Sequence, residues 1–518
     1  MSKDLIIGID AGTSVMKSVA FDLSGRQIDV VAHPNGYDIG PGGSVTQPIQ
    51  RTWEDCAATL RDLGQKIPNL AQRVAAVAVT GQGDGTWLID HENRPVGDAW
   101  LWLDGRAGAL AESFRQDDGD HARFEITGTG LNACQMGVQL AYMREHMPEV
   151  LDQADCAFHC KDWLYLNLTN ARVTDPSEAT FTYGDYRTLN RSDEVIGFLG
   201  LSDHADLLPQ TCDGVQTTHA LTPEAAVQTG LLAGTPVSLG YVDIICTVLG
   251  GGGYLPKEDT GCTIVGTTGV HVQCKDIADV VLNPERTGYV MTMPIPGKVA
   301  QLQTNMAGTL NIDWVLGLAR DLCNSLGFFT TDQALLAQVE NWMAQSTPGS
   351  VVYHPYISEA GERGPFIDHT ARASLIGLTT EHGYVDLIRA AIEGLSMASR
   401  DCYLAMGALP DTVTLTGGAA RSVALRETYA AALGASVRLC SRVEAGAAGA
   451  AMIAAVANEH HANMDACASQ WVIPLLSPLE PPRVDLVETY EKMFDAYRTT
   501  RDALRPTWGS FSSFKGTP

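Results

Sequence analysis

The chain has 518 residues, 45% of them hydrophobic, and a formal net charge of −25. That length exceeds one ordinary hydrophobic core and predicts at least two domains. The acidic excess excludes nucleic acid and anionic membrane as partners, so a site for an anionic substrate has to be built locally from Lys, Arg and backbone N–H groups. The 12 cysteines form no C-x-x-C pair, which argues against a zinc site or a disulfide framework. The apolar run in MSKDLIIGID is shorter than a signal h-region, and the Ala/Gly stretch at 445–457 is too short to span a bilayer. The expected compartment is the reduced cytoplasm.

Residues 5–22, LIIGIDAGTSVMKSVAFD, read as two strands joined by a tight turn. The turn collects Asp10, Gly12, Thr13, Ser14 and Lys17. Backbone N–H groups gathered in such a turn suit phosphate oxygens. A lone carboxylate beside them suits Mg²⁺, which takes few protein carboxylates and keeps several waters. Lys17 would add positive charge. An ordinary hairpin with a Gly-Thr-Ser turn has the same pattern, and both readings stand at this point. Residues 51–63 are helix-like, with Trp53, Cys56, Leu60 and Leu63 on one face. The strand VAAVAVT, residues 74–80, runs into Gly81-Gln82-Gly83-Asp84-Gly85, a place where polar side chains can meet a hydroxylated ligand beyond a strand's carboxyl end. A loop that only needs permissive glycines is the alternative. In WLWLDGR, residues 100–106, Asp104 and Arg106 are either a structural ion pair or part of the same pocket rim. A Gly-rich turn and a helix follow at 127–142. The segment at 158–180 joins Lys161-Asp162-Trp163 to a helix cap at Asp175-Pro176-Ser177 and reads as a structural joint.

At 235–253 a strand ends near Tyr241, and Asp243 precedes a short apolar helix closing in four glycines. A carboxylate at that junction can take a proton from a hydroxyl nucleophile or can cap the helix. The glycines at 250–253, with Pro256, mark the domain boundary and divide the chain into 1–248 and 249–518. Just beyond it, GCTIVGTTGVHV at 261–272 repeats the opening pattern, with Gly266, Thr267 and Thr268 in its turn. Two such hairpins, one at the start of each half, predict duplicated halves facing each other across a cleft, with a triphosphate held from both sides. A helix beginning at Gly308 is expected to bury Trp314. Residues 351–367 form a Pro/Gly-rich loop. Val385, Ile388, Ile392, Leu395, Ala398 and Cys402 form a core-facing helical stripe. The strand at 412–416 ends in Gly417-Gly418-Ala419-Ala420-Arg421-Ser422, a turn into a helix that permits close approach of adenine or phosphate. A small-residue helix at 444–457 should pack very close to its neighbours, and the tail at 508–518 should be loosely held. No Walker A or G-x-G-x-x-G pattern occurs, so neither a P-loop nor a Rossmann site is supported.

The combination of DAGTS at 10–14, KDWLYLNLTNARVTDPSEAT at 161–180, GYVD at 240–243, GTTGV at 266–270, SLIGLTTEHGYVDLIRAAIEG at 374–394 and TGGAARS at 416–422 resembles the FGGY carbohydrate kinases, over nearly the whole chain and in the right order. The resemblance implies an α/β fold of two actin/hexokinase-like (ribonuclease H-like) domains with a duplicated core. The N-terminal one would hold the polyol, the base and the first phosphate hairpin, and the C-terminal one the second hairpin and the adenosine. It implies ATP and Mg²⁺, with Asp10 at the metal and Asp243 as catalytic base. Gly12, Thr13, Ser14, Lys17, Gly266, Thr267, Thr268 and Gly308 would lie along the phosphates. Gly417, Gly418 and Ser422 would lie near the adenosine, and Gln82, Gly83, Asp84 and Arg106 would hold the substrate.

Within the family, glycerol-specific members have an Arg-Glu pair after the Gln, where this chain has Gly83-Asp84, and a Tyr where this chain has Cys134. The Met-His of the D-xylulose-specific members is also absent. The run GQGDGTWLID, with WLWLDGR and GYVD, most resembles the erythritol-specific members, and that resemblance alone implies erythritol as acceptor, with L-xylulose or another pentulose or pentitol as the runner-up. A homodimer stays open. An actin-like ATPase without small-molecule transfer is the different-class alternative; it would leave Asp243 as a cap and the Gln82–Asp84 loop without purpose, and ADP production that ignores added polyols would identify it.

Overall fold

A computed structural model of the protein describes residues 3–512. Two six-stranded sheets organise it. The first contains β1 (Leu5–Ala11), β2 (Val15–Asp22), β3 (Gln27–Pro34), β4 (Val74–Gly81), β5 (Thr218–Ala220) and β6 (Pro236–Leu239), in the order β5-β6-β4-β1-β2-β3. The second contains β7 (Thr260–Val265), β8 (Gly269–Asp276), β9 (Tyr289–Thr292), β10 (Lys298–Asn305), β11 (Thr412–Thr416) and β12 (Ser436–Leu439), in the order β9-β10-β8-β7-β11-β12.

The duplication expected from the two hairpins is present in the topology. In each sheet a hairpin (β1–β2, β7–β8) is antiparallel, a third strand (β3, β10) continues antiparallel, and two later strands (β4 and β6, β11 and β12) add in parallel on the other side. Strands β5 and β9 are the extra edges. The central parallel strand β4 is buried at every residue, as a strand covered on both faces must be.

The outer face of the first sheet is covered by α1 (Ile49–Lys66) and α2 (Cys160–Thr169); α1 buries the expected Trp53, Cys56, Leu60 and Leu63. Next along the chain, α3 (Pro176–Tyr183) lies against β9 of the other sheet, with Thr180 Oγ1 3.0 Å from Thr292 Oγ1. The space between the two sheets is filled by α4 (Asp243–Gly250) and α8 (Ala445–Ala457), in a core that takes residues from both halves. The helix of small residues does pack as closely as its composition predicts: a Cβ added at Gly449 would stand 2.0 Å from the Cys246 carbonyl oxygen, so only glycine lets the two backbones touch. The second sheet's outer face carries α5 (Leu310–Ser325), α6 (Tyr384–Ala405) and α7 (Val423–Leu433), and α9 (Val484–Leu504) packs outside them.

Two expectations are revised. Trp314 is 41% exposed, because α5 buries Asn311, Ile312, Val315 and Leu316 and that face excludes position 314. Trp508, assigned to a loose tail, is 1% exposed and stacks on Phe366 at 5.8 Å; residues 513–518 of that tail lie outside the described residues. The core stripe of α6 holds from Ile388 to Cys402, with Val385 half-buried. No helix among the described residues is long and apolar enough to cross a membrane.

Candidate active site

Three adjacent parallel strands of the first sheet, β1, β4 and β6, end side by side. Asp10 pairs with Thr80 in register, and Leu239 with Val79. Their carboxyl ends therefore deliver Asp10 with the Gly12–Ser14 turn, Gln82 with Gly83 and Asp84, and Asp243 to one place, where ligands of open α/β sheets bind. The second sheet does the same with β7 and β11. Ile264 pairs with Thr416, so the turn of Gly266, Thr267 and Thr268 lies beside Gly417 and Gly418. Gly308 closes on that turn, its N–H donating to the Thr267 carbonyl at 2.7 Å while Thr309 N–H donates to Gly266 at 2.8 Å.

Between the halves lies a cleft of about 260 Å³. From the first half it is lined by Thr13, Gln82, Gly83, Asp84, Trp102, Cys134, Phe181, Val242 and Asp243, and from the second by Val270, Tyr289, Met291, Leu302, Thr304 and Arg363. Thr13 Oγ1 donates to Gln82 Oε1 at 2.9 Å and accepts from Trp102 Nε1 at 2.8 Å, and Gln82 Nε2 donates to Gln47 at 2.8 Å. Gln82 thus ties its loop to the first hairpin through one end of its amide and to Gln47 through the other.

Asp84 has φ of +56°, a left-handed conformation uncommon outside glycine. Its Oδ2 accepts from Cys134 Sγ at 3.4 Å, and its buried Oδ1 has no partner. Desolvation raises its carboxyl to about 6 against the opposing pull of Arg363. Asp243 is the first residue of α4, after Val242 at the cap position. Burial, with repulsion from Asp10, pushes its carboxyl up to about 7. Burial likewise raises Asp10 to about 6, with Lys17 opposing and Glu444 assisting. Asp84 and Asp243 line the cleft and Asp10 stands close enough to repel Asp243; three desolvated carboxylates so near one another are costly unless ligands, protons or cations meet them.

Three expected site residues are placed differently. Arg106 is not among the cleft-lining residues; its guanidinium pairs with buried Asp104 at 2.6 Å and lies 3.3 Å over the Trp100 ring. Lys17 pairs with Glu444 at 2.8 Å, which neutralises the charge it was expected to bring. Ser422 caps α7 through Leu425 N–H at 3.1 Å and donates to Glu340 at 2.7 Å, so its hydroxyl is already used. The cation facing the cleft is instead Arg363, whose Nε donates to Thr304 at 3.0 Å. It sits in the Pro/Gly-rich loop of the second half, and only that loop's composition hinted at a site. Tyr289, held by Asn132 at 3.0 Å, carried no signal in sequence.

Among the described residues, no group of three or more His, Cys, Asp or Glu could cage a metal ion. A lone Asp10 beside hydroxyls and turn N–H groups does fit a hard cation that is held mainly by phosphate oxygens and water.

Residues 5–250 match the N-terminal domain, and residues 262–458 the C-terminal domain, of the FGGY family of carbohydrate kinases. The chain is 55% identical over 512 residues to the erythritol kinase of Brucella abortus (strain 2308), covering 99% of this chain and 98% of that protein. It is 23% identical to the L-xylulose/3-keto-L-gulonate kinase of Escherichia coli (strain K12), over 96% of this chain and 97% of that one. The solved ligand-bound xylulose kinase from Lactobacillus acidophilus shares the fold, with a TM-score of 0.88 at 21% identity over 99% of this chain and 100% of that one. Duplicated sheets, paired hairpins and a cleft of desolvated carboxylates accompany family matches over both halves, and the chain belongs to the FGGY family of carbohydrate kinases.

Proposed function

We propose that the protein transfers the γ-phosphate of ATP to a terminal hydroxyl of erythritol, giving erythritol 4-phosphate. The observation that carries this reading is the buried, unpartnered Oδ1 of Asp84 in the same cleft as Asp243. A carboxylate oxygen held there without a partner has the chemistry to accept a polyol hydroxyl. The 55% identity to an erythritol kinase, against 23% to an L-xylulose kinase, supports the choice of acceptor.

In this reading Asp243 accepts the proton of the attacking hydroxyl, which suits a carboxyl raised to about 7. Asp84 and Gln82 orient the remaining hydroxyls, with Gly83 leaving them room. The turns at Gly12–Ser14 and Gly266–Thr268 present N–H and hydroxyl donors to the phosphates, and Gly308, Gly417 and Gly418 shape the nucleotide side. Asp10 would hold Mg²⁺ through water; that ion, when bound, neutralises phosphate charge. Phosphoryl transfer needs positioning and charge stabilisation more than covalent help, and these residues supply the first. The domain division at 248/249 then separates a polyol half from a nucleotide half.

A second reading, L-xylulose as acceptor, is favoured by Arg363, whose N–H groups could donate to a ketose carbonyl. The test compares kcat/KM for erythritol, threitol, glycerol, L-xylulose, D-xylulose and ribitol. Erythritol should lead, with glycerol far behind because it leaves part of the hydroxyl constellation unpaired. L-xylulose ahead of erythritol would establish the second reading, and ATP hydrolysis indifferent to every polyol would defeat both.

A further inference from the structure

The segment read in sequence as a structural joint buries five ionisable side chains. His159, Lys161, Asp162, Asp175 and Glu178 are all fully buried. They converge from the N-termini of α2 and α3. Lys161 Nζ donates to Asp162 Oδ1 at 3.0 Å and forms an ion pair with Asp175 Oδ2 at 2.6 Å. Asp162 Oδ2 also accepts from Thr174 Oγ1 at 2.8 Å and lies 3.2 Å from His159 Nδ1, and His159 Nε2 lies 3.2 Å from Glu178 Oε2. Burial lowers the His159 pKa and raises that of Glu178 well above the usual range, whereas Lys161 overcomes burial to bring Asp162 down to about 2. His159 Nε2 and both Glu178 oxygens are buried without a hydrogen-bond partner, so the two side chains face each other by proximity alone.

The cluster reaches the cleft by two routes. Asp175 Oδ1 accepts from Ser177 N–H at 2.8 Å and from the Ser177 hydroxyl, and Ser177 Oγ in turn accepts from Val242 N–H at 3.1 Å. Val242 immediately precedes Asp243. On the other side of that turn Thr80 Oγ1 donates to the Tyr241 carbonyl at 2.6 Å, so two hydroxyls grip it. The second route is steric: a Cβ at Gly83 would stand 2.4 Å from Val242 Cγ2 and 3.1 Å from Glu178 Oε1, so the loop bearing Asp84 rests on the same cluster. Replacing buried ion pairs by apolar residues is often neutral or stabilising, so stability alone gives little reason for five such groups, whereas fixing one geometry does.

We propose that Ser177 is a positioning residue for the transfer step. Lys161 occupies one oxygen of Asp175, the other orients the Ser177 hydroxyl, and the Ser177 oxygen captures Val242 N–H and so aims the carboxylate of Asp243. The inference rests on Asp243 as the base, and the test separates the two. Ser177→Ala, Ser177→Thr and Asp243→Asn are compared for kcat and KM with erythritol and ATP, and for background ATP hydrolysis without polyol. In Ser177→Ala, kcat for erythritol should fall about ten- to a hundredfold, as ångström-scale misplacement of a reacting group does. Both KM values and the background hydrolysis should stay near wild type, and Ser177→Thr should recover most of the lost kcat. Should Ser177→Ala not fold, Ser177→Cys keeps the volume while weakening the acceptor and is read the same way. Parallel loss of transfer and background hydrolysis, or no loss at all, overturns the positioning role. An inactive Asp243→Asn beside a fully active Ser177→Ala overturns only this inference; an active Asp243→Asn overturns the reading beneath it.

Discussion

Asp243 and Asp84 line the cleft and Asp10 stands close enough to repel Asp243; the three carboxyls are raised to about 7, 6 and 6, each by desolvation first. For a general base that is useful, since efficiency peaks when its pKa lies near the operating pH. The acid limb of kcat/KM for the polyol should therefore fall near pH 7, the value to which Asp243 is raised. Asp243→Asn should lower kcat by about a hundred- to ten-thousandfold while ATP affinity, read by calorimetry, stays near wild type. Near-normal turnover would reduce Asp243 to the first residue of a helix. For stability the same shifts act in the opposite sense. A carboxyl whose folded pKa exceeds its unfolded value keeps a proton that the unfolded chain has released, so stability drains away as pH rises through that window. For Asp84 the window runs from the ordinary value of 3.8 to about 6. Asp84→Asn should therefore raise stability at pH 8 by on the order of 2 kcal/mol, with most of the gain gone at pH 4. Thermal unfolding at both pH values checks this, and an equal shift at each would assign the effect to packing. The price of the cleft's chemistry is, on this account, part of the fold's stability.

At the scale of elements, α4 and α8 decide how the two sheets meet. Gly449 competes between two effects: glycine costs a helix about 1 kcal/mol against alanine, but any Cβ there would drive into the Cys246 carbonyl at 2.0 Å. A backbone carbonyl cannot yield without moving the whole helix that begins at Asp243, so the clash wins. Gly449→Val should cost about 3 kcal/mol in denaturant unfolding and should lower kcat more than a surface substitution of equal cost; unchanged stability would mean that the helices have room to part. What could be read in sequence follows the range of the interaction. Both hairpins, the strand at 412–416 and the small-residue helix are local patterns and were legible. The phase of α5 was not, because Trp314 could face either way until Val315 and Leu316 took the core. Arg363, Tyr289 and the Lys17–Glu444 pair come together only across the two halves, and no spacing encodes that. In the joint at 158–180 the caps are local and legible, whereas the contact of Ser177 with Val242, brought in after β6, is not.

For the whole molecule, the balance of −25 sets a long-range field that opposes any anionic substrate. The local donors at the two hairpins act over hydrogen-bond distances, and the cations best placed to help are already paired, Lys17 with Glu444 at 2.8 Å and Arg106 with Asp104 at 2.6 Å. Among the described residues Arg363 is the one lysine or arginine that lines the cleft, against the net repulsion of the whole chain. Salt changes this in a predictable direction. The screening length falls from about 30 Å at 0.01 M to about 8 Å at 0.15 M, so added inert salt hides the distant acidic surface more than it weakens short contacts inside the cleft. For ATP, kcat/KM should rise about two- to fivefold over that range, the reverse of the decline seen when a basic surface steers an anion. The neutral polyol is the internal control. Its encounter feels no field, so kcat/KM for erythritol at saturating ATP should stay flat over the same salt range. Initial rates at constant free Mg²⁺ with a chloride salt read both quantities in one series. A fall for ATP would show that a local positive potential at the hairpins outweighs the global charge, and equal changes for both substrates would point to a salt effect on the protein's conformation instead of on the encounter.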